Sequence, residues 1–348
     1  MKKIDEYVAQ AKAQGASDIH FICNQPPKYR VDGDLVNMED RIIDAAELIE
    51  LAKSISQGRY DEITDIGELD LSDTYSGSRC RVHIFKSQGT PSIALRILRE
   101  DIPALDSLGL PPAVFKLVEC HKGIVLVTGE TGSGKSTTLA ALIDCINHTK
   151  QDHIVTLEDP VEYIYKPDKC AINQREVGRD TVSFSEGLRA SLREDPDVIL
   201  IGEMRDRDTI ETAITAAETG HLVFGTLHTG SAADSVDRMV QVFPEGAQQQ
   251  IRLQLSMVLN AVITQQLVPK IGGGRVLACE MMVVTDAIRN LIRAGNTPQI
   301  ANAVATSADL GGQTMDQALV RLVRGKLITR DTAMEFANDP TYIKRNAI

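Results

Sequence analysis

Residues 129–136 read Gly-Glu-Thr-Gly-Ser-Gly-Lys-Ser and fit the pattern G-x-x-x-x-G-K-[ST]. The apolar run from Gly123 to Thr128 precedes them as a predicted buried strand, and a predicted helix from Lys135 to Asn147 follows. Glycines in such a loop let successive backbone N–H groups point inward at phosphate oxygens, and the dipole of the following helix adds positive potential there. The order strand, glycine loop, helix therefore predicts a phosphate-binding loop.

Side chains of this loop have predicted roles toward a nucleotide. We expect Lys135 to contact the β- and γ-phosphates and the Ser136 hydroxyl to bind Mg²⁺, which makes ATP and Mg²⁺ the predicted cofactors. The alternative, a bare glycine-rich turn, does not explain why Lys and Ser follow the glycines. The expected nucleotide-binding residues of this segment are Gly129, Thr131, Gly132, Ser133, Gly134, Lys135, Ser136, Thr137 and Thr138.

The composition limits the class of protein. The chain has 348 residues, of which 43% are hydrophobic and 24% charged, which is typical of a soluble globular protein of two domains. Its net charge of −11, its 4% aromatic content and its lack of Trp argue against a nucleic-acid partner. No two of the six cysteines have the C-x-x-C spacing of a zinc ribbon or a redox pair.

The same residues indicate the compartment. The polar N-terminus has no apolar h-region, and the apolar runs are far shorter than the ~20 residues of a membrane-spanning helix. We therefore expect a cytoplasmic protein that meets the membrane through a partner.

The pattern of elements predicts two domains. Residues 1–100 read as an N-terminal α+β domain, with a hairpin whose turn is Asp32-Gly33. Residues 101–112 carry three prolines and a glycine and read as a linker. In residues 113–348, short apolar strands alternate with helices, which favours a doubly wound parallel sheet. The part from about 246 to 348 reads as helical, beginning with a predicted helix from Gln248 to Leu267.

Acidic residues end two of the predicted strands. Glu158 and Glu162 follow the strand from His153 to Leu157, and Glu203 closes the run Val198–Ile201 in the manner of a Walker B element. Ligands bind at such strand ends in open α/β sheets, where one acid can orient the attacking water while another holds Mg²⁺. The alternative is that these acids are solvated strand ends.

Histidines and arginines supply further candidates. His221 and His228 flank the strand from Leu222 to Leu227, and both can be structural. His228 is also a candidate γ-phosphate sensor, because its strand should lie beside the Glu203 strand.

In the first domain Arg79, Arg81 and His83 alternate with Cys80, Val82 and Ile84, and Arg96 alternates with Ile93, Leu95 and Ile97. This period of two predicts one apolar and one basic face of a sheet. A solvated basic face is the default interpretation of these arginines, and an arginine that stabilises γ-phosphate charge is the alternative.

Longer motifs resemble those of the secretion ATPase superfamily, and within it the PilT-type retraction motors of type IV pili. The resemblance covers essentially the whole chain. A retraction motor in particular is indicated by residues 287–293, Ala-Ile-Arg-Asn-Leu-Ile-Arg, and by the lack of a four-cysteine zinc element. The matching segments are residues 17–21 and 30–34 at the start, an Asp box at 156–162, a Walker B segment at 192–206 and a His box at 219–229.

This resemblance implies an α/β fold class. The expected architecture is a small N-terminal α+β (PAS-like) domain followed by a RecA-like P-loop ATPase domain with added C-terminal helices. It also implies a homo-hexamer in which ATP lies between the two domains and domain rotation turns hydrolysis into motion. The implied partner is the inner-membrane platform protein of a pilus, so the expected location is the inner face of the cytoplasmic membrane.

Site roles follow from the same resemblance. Glu203 is implied to be the catalytic glutamate, Glu162 together with Glu158 to serve the metal and the water, and His228 to sense phosphate. Glu162 joins Ser136 as an expected metal ligand. The residues implied to reach the nucleotide from the N-terminal domain are Arg79, Arg81 and Arg96. The segment Gln88–Pro91 departs from the pattern, because it lacks a further arginine expected there.

Three functions remain open at this point. The first is a motor ATPase that powers pilus retraction. The second keeps the fold but makes the chain a pilus-assembly or type II secretion ATPase, or a nucleotide-binding accessory subunit of a ring. The third is a nucleic-acid translocase, which the acidic balance and the low aromatic content oppose.

Overall fold

The computed structural model describes residues 3–31, 33–98 and 101–347. They form two compact units, Met1–Ile102 with Pro160–Ile164, and Pro103–Asp159 with Tyr165–Ile348. The short segment Pro160–Ile164 thus belongs with the first unit, although its neighbours in sequence belong to the second. Within the described residues, no helix is both long and apolar enough to cross a bilayer.

The first unit is an antiparallel sheet with three helices. The sheet order is β3-β2-β1-β6-β5-β4. Its elements are α1 (Ile4–Ala13), β1 (Asp18–Phe21), β2 (Lys28–Val31), β3 (Asp34–Asn37), α2 (Ala45–Ile55), α3 (Tyr60–Asp65), β4 (Glu68–Tyr75), β5 (Ser78–Ser87) and β6 (Thr90–Ile97). The predicted hairpin is present as β2 and β3, and Asp32 of its turn lies outside the described residues.

One face of this sheet is the core of the first unit. Alternate residues of β5 are buried from Ser78 to Ile84, as the period of two predicts, while the basic residues between them are half-buried or exposed. In β6 the alternation holds from Ile93 to Arg96, and Ile97 is half-buried. Helix α2 begins where Asp44 accepts a hydrogen bond from the Glu47 N–H at 2.9 Å, and it buries Leu48, Leu51, Ala52 and Ile55. The half-buried and exposed basic residues on the other face of β5 and β6 confirm the predicted basic face.

The second unit is a mostly parallel α/β structure with a seven-stranded sheet of order β13-β12-β7-β11-β10-β8-β9. Its strands are β7 (Gly123–Thr128), β8 (His153–Glu158), β9 (Ala171–Glu176), β10 (Val198–Ile201), β11 (Leu222–Leu227), β12 (Leu259–Pro269) and β13 (Arg275–Val283). Its helices are α4 (Val114–Val118), α5 (Lys135–Thr149), α6 (Phe184–Ser191), α7 (Arg207–Glu218), α8 (Ala232–Gln241), α9 (Glu245–Val258), α10 (Asp286–Ala294), α11 (Ile300–Ala305), α12 (Met315–Arg324), α13 (Arg330–Phe336) and α14 (Pro340–Asn346).

The central strands of this sheet are apolar because helices cover both faces. Every residue of β7, β10 and β11 is buried. A strand buried on both sides reads as a continuous apolar run, which is the pattern from which these strands were predicted. The order places β7, which leads into the glycine loop, between β11 and β12. The loop therefore has a neighbouring strand end on each side.

The predicted helix from Gln248 to Leu267 is wrong in its second half. Helix α9 ends at Val258, and the chain continues as β12, which pairs in parallel with β7 and antiparallel with β13. Ala261, Val262 and Ile263 are all fully buried in this strand. Periodicity cannot separate a strand buried on both faces from a buried helix, so pairing with β7 decides the conformation. The predicted helical part therefore contains a β-hairpin.

Candidate nucleotide-binding site

The glycine loop between β7 and α5 has the backbone that its sequence predicts. The φ angles of Gly129, Gly132 and Gly134 are 136°, 80° and 94°. A Cβ atom on Gly129 would lie 2.4 Å from the carbonyl oxygen of Gln265 and 2.7 Å from Ser133 Oγ. Glycine is thus required at 129 both by the backbone angle and by space. The result is a curved loop that opens helix α5 and can take a phosphate group.

Lys135 lies within the curve of this loop. Its Nζ donates hydrogen bonds to the carbonyl oxygens of Gly129 at 2.8 Å and Glu130 at 2.9 Å. Burial lowers the pKa of Lys135, and the carboxylate of Glu203 opposes that shift. The Lys135 ammonium group and the Glu203 carboxylate are therefore close enough for their charges to interact.

The hydroxyl groups of Ser133 and Ser136 can meet a ligand in the loop. Ser133 Oγ is buried and has no hydrogen-bond partner among the described residues. Ser136 is exposed in the first turn of α5. A buried hydroxyl without a partner is costly, so a ligand that accepts its hydrogen bond fits the loop. The loop residues therefore suit the phosphates of a nucleotide.

Thr138 lies beneath the loop. Its side chain is 2% exposed, and its Oγ1 accepts a hydrogen bond from Gln265 Nε2 at 2.7 Å. Its N–H donates to the carbonyl oxygen of Gly134 at 3.0 Å. The contact with Gln265 links helix α5 to strand β12. The expected contact of Thr138 with a nucleotide stays a prediction.

Glu203 and His228 meet at the ends of adjacent strands. Strand β10 pairs in parallel with β11, as expected from the sequence, so the residues that follow the two strands lie side by side. His228 Nε2 is 3.1 Å from Glu203 Oε1, and Arg205 Nε donates to the same oxygen. The Glu203 side chain is 20% exposed. The carboxylate is therefore held in place yet accessible.

The electrostatic surroundings favour a neutral His228. Burial lowers the pKa of the imidazole, the nearby cations Lys135 and Arg205 lower it further, and Glu203 partly opposes them. A neutral imidazole has one N–H donor and one acceptor nitrogen. His228 can thus form a hydrogen bond with Glu203, with water or with a phosphate oxygen.

These residues line a cleft of about 550 Å³, which we call the acid-side cleft. It extends from Thr131 of the glycine loop to Glu203 and His228. Arg205 and Arg238 also line it, although neither was predicted as a site residue. Arg205 could have been found from its position two residues after Glu203. Arg238 lies within α8, where no local signal distinguishes it from a solvated helix residue.

Glu158 and Glu162 belong to different units of the chain. Glu158 is 9% exposed at the end of β8, and it accepts hydrogen bonds from Thr156 Oγ1 at 2.7 Å and Gln174 Nε2 at 3.2 Å. Glu162 is half-buried and belongs to the segment Pro160–Ile164 of the first unit. Their expected roles toward metal and water stay predictions.

The three predicted arginines lie on the basic face of the first unit. Each has a partner there: Arg79 donates to Ser72 Oγ and to the Val161 carbonyl oxygen, Arg81 lies 3.9 Å from Asp70, and Arg96 donates to Asp18 at 2.8 Å. Their contact with a nucleotide stays a prediction.

His221 has an internal partner, as its structural interpretation expects. Its Nδ1 lies 2.8 Å from the carbonyl oxygen of Ala216 near the end of α7. It therefore belongs to the turn between α7 and β11.

The side chains of this site can be compared with the ligands that Mg²⁺ prefers. Within the described ranges, no group of three or more His, Cys, Asp or Glu residues could hold a metal ion. Mg²⁺ usually binds through substrate phosphates, waters and one or two protein oxygens, so a full protein cage is not required. The exposed Ser136 hydroxyl beside the loop fits that mode of binding.

Comparisons with known proteins identify the family of the chain. The family model described as "Type II/IV secretion system protein" matches residues 1–328. The chain is 46% identical to the type IV pilus retraction ATPase PilT of Pseudomonas aeruginosa over 97% of this chain and 98% of that protein. It is 44% identical to the twitching motility protein of Neisseria gonorrhoeae over 90% of this chain and 84% of that protein.

A solved structure extends the similarity to the fold. The chain superposes with a TM-score of 0.93 on a crystal structure of the pilus retraction motor PilT with bound ADP, at 47% identity, covering 99% of this chain and 100% of the other. The two-unit α/β fold with a glycine loop is therefore shared with that motor. The chain belongs to the type II/IV secretion system protein family.

Proposed function

We propose that this protein is a motor ATPase that hydrolyses ATP to ADP and phosphate and thereby powers retraction of a type IV pilus. The observation that carries the proposal is the arrangement of Lys135 inside the glycine loop with Glu203 and His228 beside it. Relatives 46% and 44% identical, named for pilus retraction and twitching motility, support the mechanical role.

The residues of the loop bind and orient the phosphates. Backbone N–H groups of residues 129–134 and the Lys135 ammonium hold the β- and γ-phosphates, so Lys135 exchanges its carbonyl partners for phosphate oxygens. Ser136 and Glu162 would hold Mg²⁺, which when bound neutralises charge on the β- and γ-phosphates. The buried Ser133 hydroxyl donates a further hydrogen bond.

Glu203 prepares the attacking water. Its carboxylate accepts a hydrogen bond from a water molecule in the acid-side cleft and orients that water toward the γ-phosphorus. Neutral His228 senses the γ-phosphate, because it can donate to a phosphate oxygen in place of Glu203. Glu158, which accepts hydrogen bonds from Thr156 and Gln174 at the end of β8, would serve the metal and the water together with Glu162. The water oxygen forms a bond to the γ-phosphorus while the bond from the γ-phosphorus to the bridging oxygen breaks. The water gives a proton to the Glu203 carboxylate, and ADP and phosphate leave.

We place this activity in a homo-hexamer at the inner face of the cytoplasmic membrane. The ring acts on an inner-membrane platform protein of the pilus and does not use a nucleic acid. Arg79, Arg81 and Arg96 contribute positive charge toward the nucleotide. These assignments rest on the resemblance of the motifs and on the named relatives.

ATPase assays of purified variants test the enzymatic part. Lys135→Ala and Glu203→Gln should both abolish Mg²⁺-dependent turnover. Two exposed residues of the same unit offer matched controls, since Lys116→Ala and Glu211→Gln make the same changes outside the site. Normal turnover in both site variants would refute the proposal.

Imaging of pili tests the direction of the work. Deletion of the gene should leave abundant pili that do not retract. A strain without pili would instead indicate an assembly motor. A purified protein that binds ATP without hydrolysing it would indicate an accessory subunit of a ring.

A further inference from the structure

Strand β13 carries a buried carboxylate, Glu280, that does not line the acid-side cleft. The residue is 7% exposed, and its neighbours Ala278, Cys279, Met281 and Met282 form an apolar, buried stretch of the strand. Burying a carboxylate costs free energy, and an apolar side chain of similar size would avoid that cost. A specific contact is therefore expected at this position.

Backbone N–H groups at the start of two helices hold this carboxylate. Glu280 Oε1 accepts a hydrogen bond from the N–H of Ala232, the first residue of α8, at 2.7 Å. The N–H of Met315, the first residue of α12, also donates to the carboxylate. Burial raises the pKa of Glu280, and these two hydrogen bonds oppose the rise. Because the first N–H groups of a helix have no partner within it, Glu280 can join the starts of α8 and α12 to strand β13.

The start of α8 is connected in turn to the segment that carries His228. Three residues separate His228 from Ala232. Within this segment, Thr229 Oγ1 lies 2.7 Å from Ser235 Oγ of the first turn of α8. The segment is thus fixed to the first turn of α8, and the contact between Ala232 and Glu280 fixes that turn to the sheet.

Glu280 lies at the level of the sheet where the glycine loop begins. It pairs across β13 and β12 with Thr264, which pairs with Thr128, the last residue before the loop. The Oγ1 atoms of Thr264 and Thr128 lie 2.9 Å apart, as expected for paired residues on one face of a sheet. Thr128 also pairs with Leu227, and His228 follows Leu227. Glu280 therefore holds α8 from the row of the sheet that directly precedes the loop and His228.

We propose that Glu280 is a positioning residue for ATP hydrolysis, whose carboxylate holds the start of α8 and thereby keeps His228 beside Glu203. This inference rests on the proposed function, since it needs the contact of His228 with Glu203 to take part in turnover. Apolar packing of α8 has no preferred direction, whereas the hydrogen bond from Ala232 fixes the helix along its axis. A shift of α8 by about 1 Å would move His228 from the place where it meets Glu203 and the γ-phosphate.

Asp316 offers a matched control, because it is another buried carboxylate that holds the start of a helix. It is 9% exposed and accepts hydrogen bonds from the N–H groups of Asn338 at 2.8 Å and Asp339 at 3.0 Å. Asp339 directly precedes α14, and within the described part of the chain no residue of α14 lines the acid-side cleft. Loss of the Asp316 carboxylate therefore removes the same kind of contact at a helix that does not carry His228.

ATPase kinetics of three variants test the proposal. Glu280→Ala removes the acceptor and should lower kcat about tenfold, while KM for ATP stays within about twofold of wild type because the glycine loop is unchanged. Ala232→Pro removes the donor of the same contact and should give the same loss. Proline is tolerated at the first position of a helix, and the preceding Ser231 already has the extended backbone that proline requires. Asp316→Ala should keep wild-type kcat.

Combination with His228→Gln separates positioning from a general structural role. If Glu280 acts through His228, Glu280→Ala should lower kcat by less than about twofold in the His228→Gln background. A tenfold drop in both backgrounds would overturn the proposal, as would wild-type kcat in Ala232→Pro or an equal loss in Asp316→Ala. Ala232→Pro decides the question if Glu280→Ala does not fold. Wild-type kcat in His228→Gln would overturn this inference and leave the proposed hydrolysis standing, whereas a wild-type protein without ATPase activity would refute the proposed function itself.

Discussion

The two clefts beside the glycine loop share Thr131 and little else. The acid-side cleft has a carboxylate, an imidazole and two arginines. The cleft of about 370 Å³ on the other side of the loop, called the β12-side cleft, has the Phe336 ring, the Gln266 amide, two carboxylates at Glu130 and Glu335 and one arginine, Arg275. Both clefts carry charged side chains, but among the described residues that line them only the acid-side cleft has a carboxylate in contact with a histidine. A fixed carboxylate suits the place where charge develops during phosphoryl transfer, so the difference agrees with the proposed hydrolysis on the Glu203 side of the loop.

The largest expected effect comes from the acid-side cleft. Glu203→Gln removes the group that orients water and should lower kcat by about 10²-fold or more. Nucleotide should still bind, because the residues of the loop are unchanged. Turnover and ADP affinity measured on the same preparation check this separation. A variant that loses binding and turnover together would contradict it.

A smaller effect is expected beneath the loop. Thr138→Val leaves the buried Gln265 Nε2 without its acceptor, which should lower the free energy of unfolding by about 1–3 kcal/mol. Urea denaturation measures the change. Thr306→Val, at an exposed position, is the control and should stay within about 0.5 kcal/mol of wild type. If Thr138→Val and Thr306→Val have the same free energy of unfolding, Thr138 does not have this structural role.

The smallest expected effect concerns the pH at which His228 titrates in the acid-side cleft. The pKa of His228 is lowered by burial and nearby cations, whereas the pKa of exposed His148 is raised by Asp144. The unfolded chain therefore binds a proton at 228 more readily than the folded chain. His228 thus lowers stability as the pH falls below about 6.5 and has no such effect above it. Proton NMR should show His228 titrating at lower pH than His148, and the reverse order would contradict the described surroundings.

The acid-side cleft could be predicted from sequence far better than the β12-side cleft. The glycine pattern before Lys135 and the apolar run before Glu203 are local signals, and parallel pairing of β10 with β11 then brings His228 to Glu203. Gln266 lies in a segment predicted as helix, because a strand buried on both faces has no helical or strand period. Phe336 comes from a helix 70 residues further along the chain, so only tertiary structure joins it to the loop.

Thr138 shows a second limit. The motif places it next to residues that bind phosphate, yet its hydroxyl points to Gln265 on β12. Whether a side chain near a motif faces the ligand or the core depends on a neighbouring strand that the motif does not encode.

The most direct test of the account is a crystal structure of the protein with Mg²⁺, ADP and a fluoroaluminate that mimics the transferred phosphoryl group. The account predicts the diphosphate within the loop of residues 129–134, contacted by Lys135, and the Glu203 carboxylate within about 3.2 Å of an in-line water. A loop without the diphosphate, together with Glu203 turned away from the fluoroaluminate, would contradict it.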